Sequence, residues 1–189
     1  MAKSIQNVVM QGASGKIGKT LVFRQMSNGD TVIANRAKPR NAPPTPNQEA
    51  HKTKFQDAIS LAKKLAKDPI LRPQYLAKAN LGQTAFNMAV KDCLNGPKIK
   101  GIYLDSYDGA IGSLISIRAV DDFKVASVKL RILKANNSLL EHGLAIPNDN
   151  GLDWTYIATV NNNSPSGTKI EVTASDVPGN ETVEIITFI

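Results

Sequence analysis

The stretch Gly12–Arg36, GASGKIGKTLVFRQMSNGDTVIANR, decides how the rest of the chain is interpreted. It contains three glycines spaced three residues apart, Gly12, Gly15 and Gly18. This G-x-x-G-x-x-G spacing is similar to that of a dinucleotide-binding turn. Lys19 and Thr20 also occupy the Lys-Thr places of a loosely matched phosphate-binding loop. Either motif would indicate a nucleotide-dependent enzyme, whereas a β-hairpin in this place would indicate a building block.

The residues after Gly18 favour two strands over a helix. Both nucleotide motifs need a helix there, because they direct backbone N–H groups and the positive helix end at phosphate oxygens. Instead, β-branched and aromatic residues flank an Asn28-Gly29 turn signal. We therefore expect Thr20–Met26 and Thr31–Arg36 to form a hairpin, with the glycines bending a strand. The dinucleotide site stays open as an alternative, because a short helix could also fill the segment between the glycines.

Composition limits the classes of function. The chain has 189 residues, is 42% hydrophobic and contains no apolar run of the roughly 18–20 residues that a membrane helix needs. The N-terminus lacks the basic flank and apolar segment of a secretory signal, so we expect cytoplasmic synthesis, followed by incorporation into a virion or another large assembly. The single cysteine, Cys93, excludes an internal disulfide, and with only two histidines beside it a zinc site has almost no ligands.

The positive charge is concentrated at the front of the chain. Residues 1–55 carry nine Lys/Arg and two Asp/Glu, residues 56–97 carry six and three, and residues 98–189 carry eight and eleven. The net charges of these parts are therefore +7, +3 and −3. A basic front can contact nucleic acid, or it can dock on the acidic back of another copy. Aromatic residues are scarce in the basic half, so sequence-specific reading of nucleic acid is not expected.

Residues 45–97 are predicted to form a helical hairpin, after a Pro-rich tether that ends at residue 44. The helix start is a capping box, Thr45-Pro46-Asn47-Gln48. An apolar stripe follows it, at Phe55, Ala58, Ile59, Ala62 and Leu65. A second helical stretch runs from about Pro73 through Cys93, with a break at Gly82. Cys93 lies on the apolar stripe of this stretch and is expected to be a buried packing residue.

From Ile99 onward, apolar and polar residues alternate as in half-buried strands. The predicted strands are Ile99–Asp105, Ser113–Ala119, Ala126–Leu133, Leu139–Ala145, Thr155–Val160, Lys169–Ala174 and Thr182–Ile189. Short strands at this spacing favour a β-sandwich of immunoglobulin-like architecture. The predicted fold class is α+β: a β-hairpin arm and tether over residues 1–44, a helical hairpin over 45–97, and an immunoglobulin-like β-sandwich over 98–189.

Few side chains suggest a chemical site. Aspartates at the predicted strand turns could supply calcium ligands at one end of a sandwich, namely Asp105, Asp108, Asp121, Asp122, Asp149, Asp153 and Asp176. No loop has the dense ligand spacing of a calcium loop, and aspartates are common in turns for backbone reasons. We expect His51 and His142 at the surface, and Trp154 in the core or at a strand edge, with sugar stacking as an alternative. No catalytic residue, metal or cofactor is therefore expected.

Three pieces of the chain carry a resemblance to known proteins. They are Gly15-Lys16-Ile17-Gly18 with Arg24 and Gly29, Thr45-Pro46-x-Gln48 with Phe55, and Ala174-Ser175-Asp176-Val177-Pro178-Gly179-Asn180. The last piece is similar to the final-strand signature of many bacterial immunoglobulin-like domains. The first two, with Asp121-Asp122-Phe123 and Asp153-Trp154-Thr155-Tyr156, resemble a set of uncharacterised small proteins of Bacteroidetes and their phages. The resemblance covers most of the chain and implies an architecture and a structural role, but no catalytic residues.

The function expected from these observations is a non-enzymatic structural subunit that self-assembles into a homopolymeric filament, sheath or phage virion shell. A hairpin on a tether has little core of its own, and such an arm can add strands to a neighbour's sheet edge. The residues assigned to intersubunit contact are Leu21, Val22, Phe23, Arg24, Val32, Ile33, Arg36, Ile185, Ile186 and Phe188.

The expected partners are copies of the chain itself, with other virion or sheath proteins and non-specific nucleic acid as further candidates. Two other functions stay open. One is a nucleic-acid-associated protein that uses the basic N-terminal half. The other is a dinucleotide-dependent reductase built on the three glycines, although Tyr75 and Lys78 miss the Tyr-x-x-x-Lys spacing by one place.

Overall fold

The computed structural model describes residues 2–4, 8, 10, 12–26, 28–39 and 42–189. Ser27 of the predicted turn and Arg40 and Asn41 of the predicted tether lie outside the described residues. The described chain has an α+β fold with three helices and three antiparallel sheets. Its elements are β1 (Ala2–Ser4), β2 (Gly15–Ile17), β3 (Leu21–Gln25), β4 (Thr31–Asn35), α1 (Pro46–Leu65), α2 (Leu71–Ala77), α3 (Ala85–Leu94), β5 (Lys98–Tyr103), β6 (Leu114–Val120), β7 (Val125–Leu133), β8 (Leu139–Leu144), β9 (Ile146–Pro147), β10 (Asp153–Ile157), β11 (Lys169–Asp176) and β12 (Glu181–Thr187).

The first sheet is built around the strands on either side of Asn28-Gly29. Its order is β1-β4-β3-β2, and Phe23 of β3 lies opposite Ile33 of β4. The backbone N–H of Met26 donates to the carbonyl of Asp30 at 2.8 Å, and Gly29 has a φ of 86°, which favours glycine. Strand β3 therefore follows Gly18 where both nucleotide motifs need a helix.

Helix α1 begins as the sequence predicts. The hydroxyl of Thr45 accepts from the backbone N–H of Gln48 at 3.4 Å, and the Gln48 side chain accepts from the backbone N–H of Thr45 at 3.1 Å. These reciprocal bonds satisfy two N–H groups that a helix start leaves without a partner.

The predicted single stretch from Pro73 through Cys93 is two helices, α2 and α3. Gly82 has a φ of 82°, which is incompatible with a continuous helix. Thr84 then caps α3 in a second capping box, because its hydroxyl accepts from the backbone N–H of Asn87 at 3.3 Å. Gly82 thus separates two independently started helices.

The helices share a core with one loop of the β-sheets. Its buried residues are Ala58, Ala62, Tyr75, Ala85, Met88, Ala89, Cys93 and Phe123. Phe123 lies between β6 and β7 and stacks on Tyr75, with ring centroids 4.0 Å apart. The helical layer is thereby attached to the end of the sheets where this loop lies.

The other two sheets pack face to face around the main core. Their orders are β5-β6-β10-β9 and β12-β11-β7-β8. Alternate residues point inward, including Ile115 and Ile117 on β6, and Leu130 and Ile132 on β7. Burial of each such side chain contributes about 1.5–3 kcal/mol. The arrangement is sandwich-like, and Trp154 is one of its core residues, with 7% of its surface exposed.

The chain crosses between these two sheets at Ala145. The backbone N–H of Ala145 donates to Val128 in β7, whereas Ile146 pairs with Thr155 in β10. The short strand β9, which alternation did not predict, results from this crossing. At the opposite edge the sheets approach again, where the hydroxyl of Thr182 donates to the carbonyl of Pro97 at 2.6 Å.

Candidate functional site

No described residue of the N-terminal sheet belongs to either hydrophobic core. All buried members of the two core clusters lie at Ala58 or beyond. Within the part of this sheet whose side chains are described, the buried residues are Phe23, Thr31 and Val32, which are 5%, 3% and 8% exposed. A sheet with so few buried side chains is only marginally stable by itself. The surface it presents is therefore the first candidate for a function.

The hairpin residues assigned to intersubunit contact differ widely in exposure. Phe23 and Val32 are buried, Val22 and Ile33 are half-buried, and Leu21, Arg24 and Arg36 are exposed. Because opposite residues of an antiparallel pair share a face, Arg24 lies beside Val32 on one face of the sheet. Leu21, Arg24 and Arg36 are thus the members of this set that a partner can reach directly.

The buried hydroxyl of Thr31 connects the hairpin to the chain that precedes it. It donates to the carbonyl of Met10 at 3.4 Å and accepts from the Gln25 side chain at 2.9 Å. The same Gln25 amide also donates to the carbonyl of Ala13 at 3.2 Å. These bonds position the glycine-containing segment against the hairpin.

The outer edge of this sheet is basic and partly apolar. Strand β2 is the edge strand, all its residues are exposed, and Ile17 is 57% exposed. Beside it is a cleft of about 520 Å³ lined by Lys19, Thr20, Asn35, Arg36, Ala37, Lys38 and Pro39. Three cationic side chains around one cleft attract carboxylates or phosphates.

The last strand presents one face to solvent and one to the core. Ile185 and Val183 are 59% and 52% exposed, whereas Ile186 and Phe188 pack against the sandwich core. Phe188 also contacts Tyr107 edge to face, with centroids 5.5 Å apart. Of the three predicted contact residues on this segment, Ile185 is therefore the one whose side chain is presented to a partner.

The three glycines of the motif are used for backbone conformation. They have φ angles of 78°, 103° and 61° at Gly12, Gly15 and Gly18. No described atom lies within 4 Å of the place where a Cβ would be at any of them. Their role is therefore to allow left-handed turns, since nothing approaches closely and no helix follows.

Three of the seven aspartates considered as calcium ligands have other contacts. Asp108 accepts from the backbone N–H of Ala110 at 2.9 Å, as turn aspartates do. Asp122 pairs with Lys91 at 3.2 Å, and Asp153 lies 3.8 Å from Arg118.

Asp121 and Asp176 form the exception, because they meet a third carboxylate, Asp92 of α3. No local sequence pattern indicates a site at Asp92. It occurs on a helix one residue before Cys93, and only the packing of α3 on the sandwich brings it to the strand ends.

The cysteine and the histidines lie where the sequence predicts. Cys93 is 7% exposed, and burial raises the pKa of its thiol to about 11, with Asp92 adding to the effect. A thiol in this state is a poor nucleophile. His51 and His142 are exposed.

Comparison with known proteins gives no information on the function of this chain. No protein-family model matches the chain, and no curated protein matches it. A crystal structure described as that of an engineered protein is similar to it, with 15% identity and a TM-score of 0.32. The match covers 58% of this chain and 30% of the engineered one, so the chain spans under a third of that protein's length. Within the described residues, no helix is both long and apolar enough to cross a membrane.

Proposed function

We propose that the protein is a non-enzymatic structural subunit whose N-terminal sheet docks on the sandwich of a neighbouring copy, giving a homopolymeric filament, sheath or virion shell. The observation that carries the proposal is that no described residue of this sheet belongs to either core cluster of its own chain. Among the described side chains of this sheet, three are buried. Such a sheet gains stability when another surface covers it.

Charge and apolar surface favour a second copy as the partner. The described N-terminal sheet and the residues next to its strands carry exposed Lys16, Lys19, Arg24, Arg36 and Lys38, and exposed Ile17 and Leu21 lie among them. Strand β12 carries the complementary set: exposed Glu181, Val183 and Ile185 share its outward face, and exposed Glu184 lies between them in the chain, on the other face. Opposite charges across an interface steer encounter and fix orientation, while the apolar residues supply buried area.

We further infer an immunoglobulin-like architecture for the sandwich. When its strands are lettered in chain order, with β8 as an added strand after C, the two sheets have the orders A-B-E-D and G-F-C-C′. The first is one sheet of the immunoglobulin fold, and the second is the other sheet with one more strand. The outward-facing strand β12 then corresponds to G, at the edge of its sheet.

The basic cleft supports a second candidate function, non-specific nucleic-acid binding. Lys19, Arg36 and Lys38 line it together, and phosphates would interact with them without reading sequence. Such binding would weaken steeply as salt is added, because each neutralised phosphate releases counterions.

A charge-swap experiment on the full chain tests the assembly. The front variant is Lys16→Glu with Lys19→Glu, and the back variant is Glu181→Lys with Glu184→Lys. We expect the wild type to form ordered polymers or closed shells in negative-stain electron microscopy and light scattering. Each variant alone should stay small, because residues 16 and 19 of one copy then carry the same charge sign as residues 181 and 184 of the next copy. An equimolar mixture of the two should assemble, because residues 16 and 19 of each variant meet oppositely charged residues 181 and 184 of the other.

The matched control is Lys63→Glu with Lys64→Glu, which makes the same charge change on exposed residues of α1. It should assemble as the wild type does. A monomeric wild type would contradict the proposal, as would two variants that both assemble unaided. A monomer that binds single-stranded DNA with strong salt dependence would establish the nucleic-acid alternative instead.

A further inference from the structure

Three carboxylates converge where the helical layer meets the sandwich. Asp92 comes from α3, Asp121 from the loop between β6 and β7, and Asp176 from the end of β11. One oxygen of each lies within 4.8 Å of one oxygen of each of the others. No ion pair among the described residues includes any of the three.

The most buried member of this cluster has one oxygen that no donor reaches among the described residues. Asp92 is 1% exposed; its Oδ2 accepts from the hydroxyl of Tyr75 at 2.7 Å, and its Oδ1 has no hydrogen-bond partner among the described residues. Asp121 repeats the pattern, since its Oδ2 accepts from the backbone N–H of Phe123 at 2.9 Å and its buried Oδ1 has no such partner. A buried carboxylate oxygen without a partner is costly, and a bound ligand would remove that cost.

We propose that Asp92, Asp121 and Asp176 bind a hard divalent cation, with Ca²⁺ as the ion that fits best. The donors are all carboxylate oxygens, which suit Ca²⁺ and Mg²⁺ and not softer metals. At a Ca²⁺–O distance of about 2.4 Å, two oxygens on one ion lie at most about 4.8 Å apart, which the cluster satisfies. Water molecules complete the six to eight ligands that Ca²⁺ typically takes.

The electrostatics of the cluster agree with a positive occupant. Burial, together with the nearby Asp121 and Asp176 carboxylates, raises the pKa of Asp92 to about 7, against the lowering effect of the Tyr75 hydroxyl. Burial also raises the pKa of Asp176, despite hydrogen bonds from Asn180 and Gly179 that lower it. A cation between these groups offsets both burial and mutual repulsion.

Bound there, the ion connects the helices to the sandwich. The joint already has other links: the Asn180 side chain donates to the carbonyl of Asp92 at 3.1 Å, and Lys78 donates to the carbonyl of Phe123. Asp121 also lines a cavity of about 340 Å³, together with Lys78 and Trp154. The site is independent of the surfaces proposed for assembly.

Calorimetry and luminescence on the full chain test the site. After treatment with EDTA, titration with CaCl₂ should show one ion bound per chain and a rise in the midpoint of thermal unfolding. Tb³⁺ should replace Ca²⁺ and emit when aromatic side chains are excited, because the Tyr75 hydroxyl is 2.7 Å from a ligand carboxylate. Added CaCl₂ should then suppress this emission.

The variants Asp92→Asn and Asp121→Asn should each weaken Ca²⁺ binding by at least about tenfold. Asp92→Asn removes a buried charge, so we expect it to fold in EDTA; Asp121→Asn changes a half-buried loop residue and serves as the second variant. Asp105→Asn and Asp149→Asn, at exposed aspartates, should bind Ca²⁺ as the wild type does. Absence of binding to the wild type would overturn the proposal, and so would equal binding by the cluster variants and the exposed controls.

Discussion

The reactivity of Cys93 is set by its position on the inner face of α3. Its thiol is 7% exposed, and burial raises its pKa from 9.0 to about 11. Since the thiolate is the reactive form, the native protein at pH 8 should react with an aromatic disulfide reagent at least about 100-fold more slowly than the chain in urea. The absorbance of the released thiolate measures both rates. Equal rates in the two conditions would show that the thiol is accessible in the folded protein.

For single residues, the sequence predicts which side chains are buried better than it predicts which distant side chains meet. The helical stripe placed Cys93 in the core, because spacing along one helix determines which side chains share a face. The same stripe gave no reason to associate Asp92 with Asp121 and Asp176. Those three meet only because α3 packs on the ends of strands that are distant in the sequence. A local sequence pattern carries no information about such packing.

The capping box at the start of α1 should contribute measurably to the stability of this helix. The helix has 20 residues, and its buried side chains, Ala58 and Ala62, lie in its second half, whereas residues 46–57 are all exposed, so tertiary packing holds little of its N-terminal part. Its capping box is correspondingly important. Thr45→Ala removes the hydroxyl that accepts from Gln48 and should lower the free energy of unfolding by about 1 kcal/mol. Urea denaturation monitored by circular dichroism measures this change.

Thr53→Ala is the matched control, since it makes the same substitution at an exposed interior position of α1. Alanine has the higher helix propensity, so this variant should be unchanged or more stable, by up to about 0.7 kcal/mol. The two substitutions should therefore differ in sign. A loss of stability at Thr53 equal to that at Thr45 would show that the cap has no special role.

Local signals predicted most elements and missed those that depend on distant contacts. The capping box at Thr45 predicted the start of α1. The alternation from Ile99 onward predicted strands that lie close to their observed bounds. Strand β9 was missed, because two residues are too few to show a period, and its pairing depends on Thr155 of β10. The break at Gly82 was visible, but treating α2 and α3 as one stretch overlooked the second capping box at Thr84.

At the scale of the whole molecule, the sequence predicted the order of its parts but not how they fit together. Alternation indicates which face of each strand is buried, and the sandwich core agrees with it. The position of the helices depends on Phe123, a loop residue that stacks on Tyr75 and completes the helical core. A single aromatic residue between two strands carries no periodic signal, so this joint could be found only in the structure.

The N-terminal sheet should contribute little to the stability of residues 45–189. Among the residues that the structure describes, deletion of residues 1–44 removes no buried member of either core cluster, so the shortened chain should unfold within a few degrees of the full chain's midpoint. It should also be a soluble monomer, because the proposed docking surface is gone. Thermal unfolding and light scattering on the same sample measure both properties.

Deletion of residues 181–189 is the matched comparison at the other end of the chain. Although far fewer residues are lost, Ile186 and Phe188 pack against the sandwich core and β12 pairs along the length of β11. This variant should therefore be strongly destabilised, since it exposes core surface and one edge of β11. A chain lacking residues 1–44 that still assembles would contradict the role of the N-terminal sheet. If that shortened chain fails to fold, the N-terminal sheet must stabilise its own chain. It would then do so through contacts outside the two core clusters.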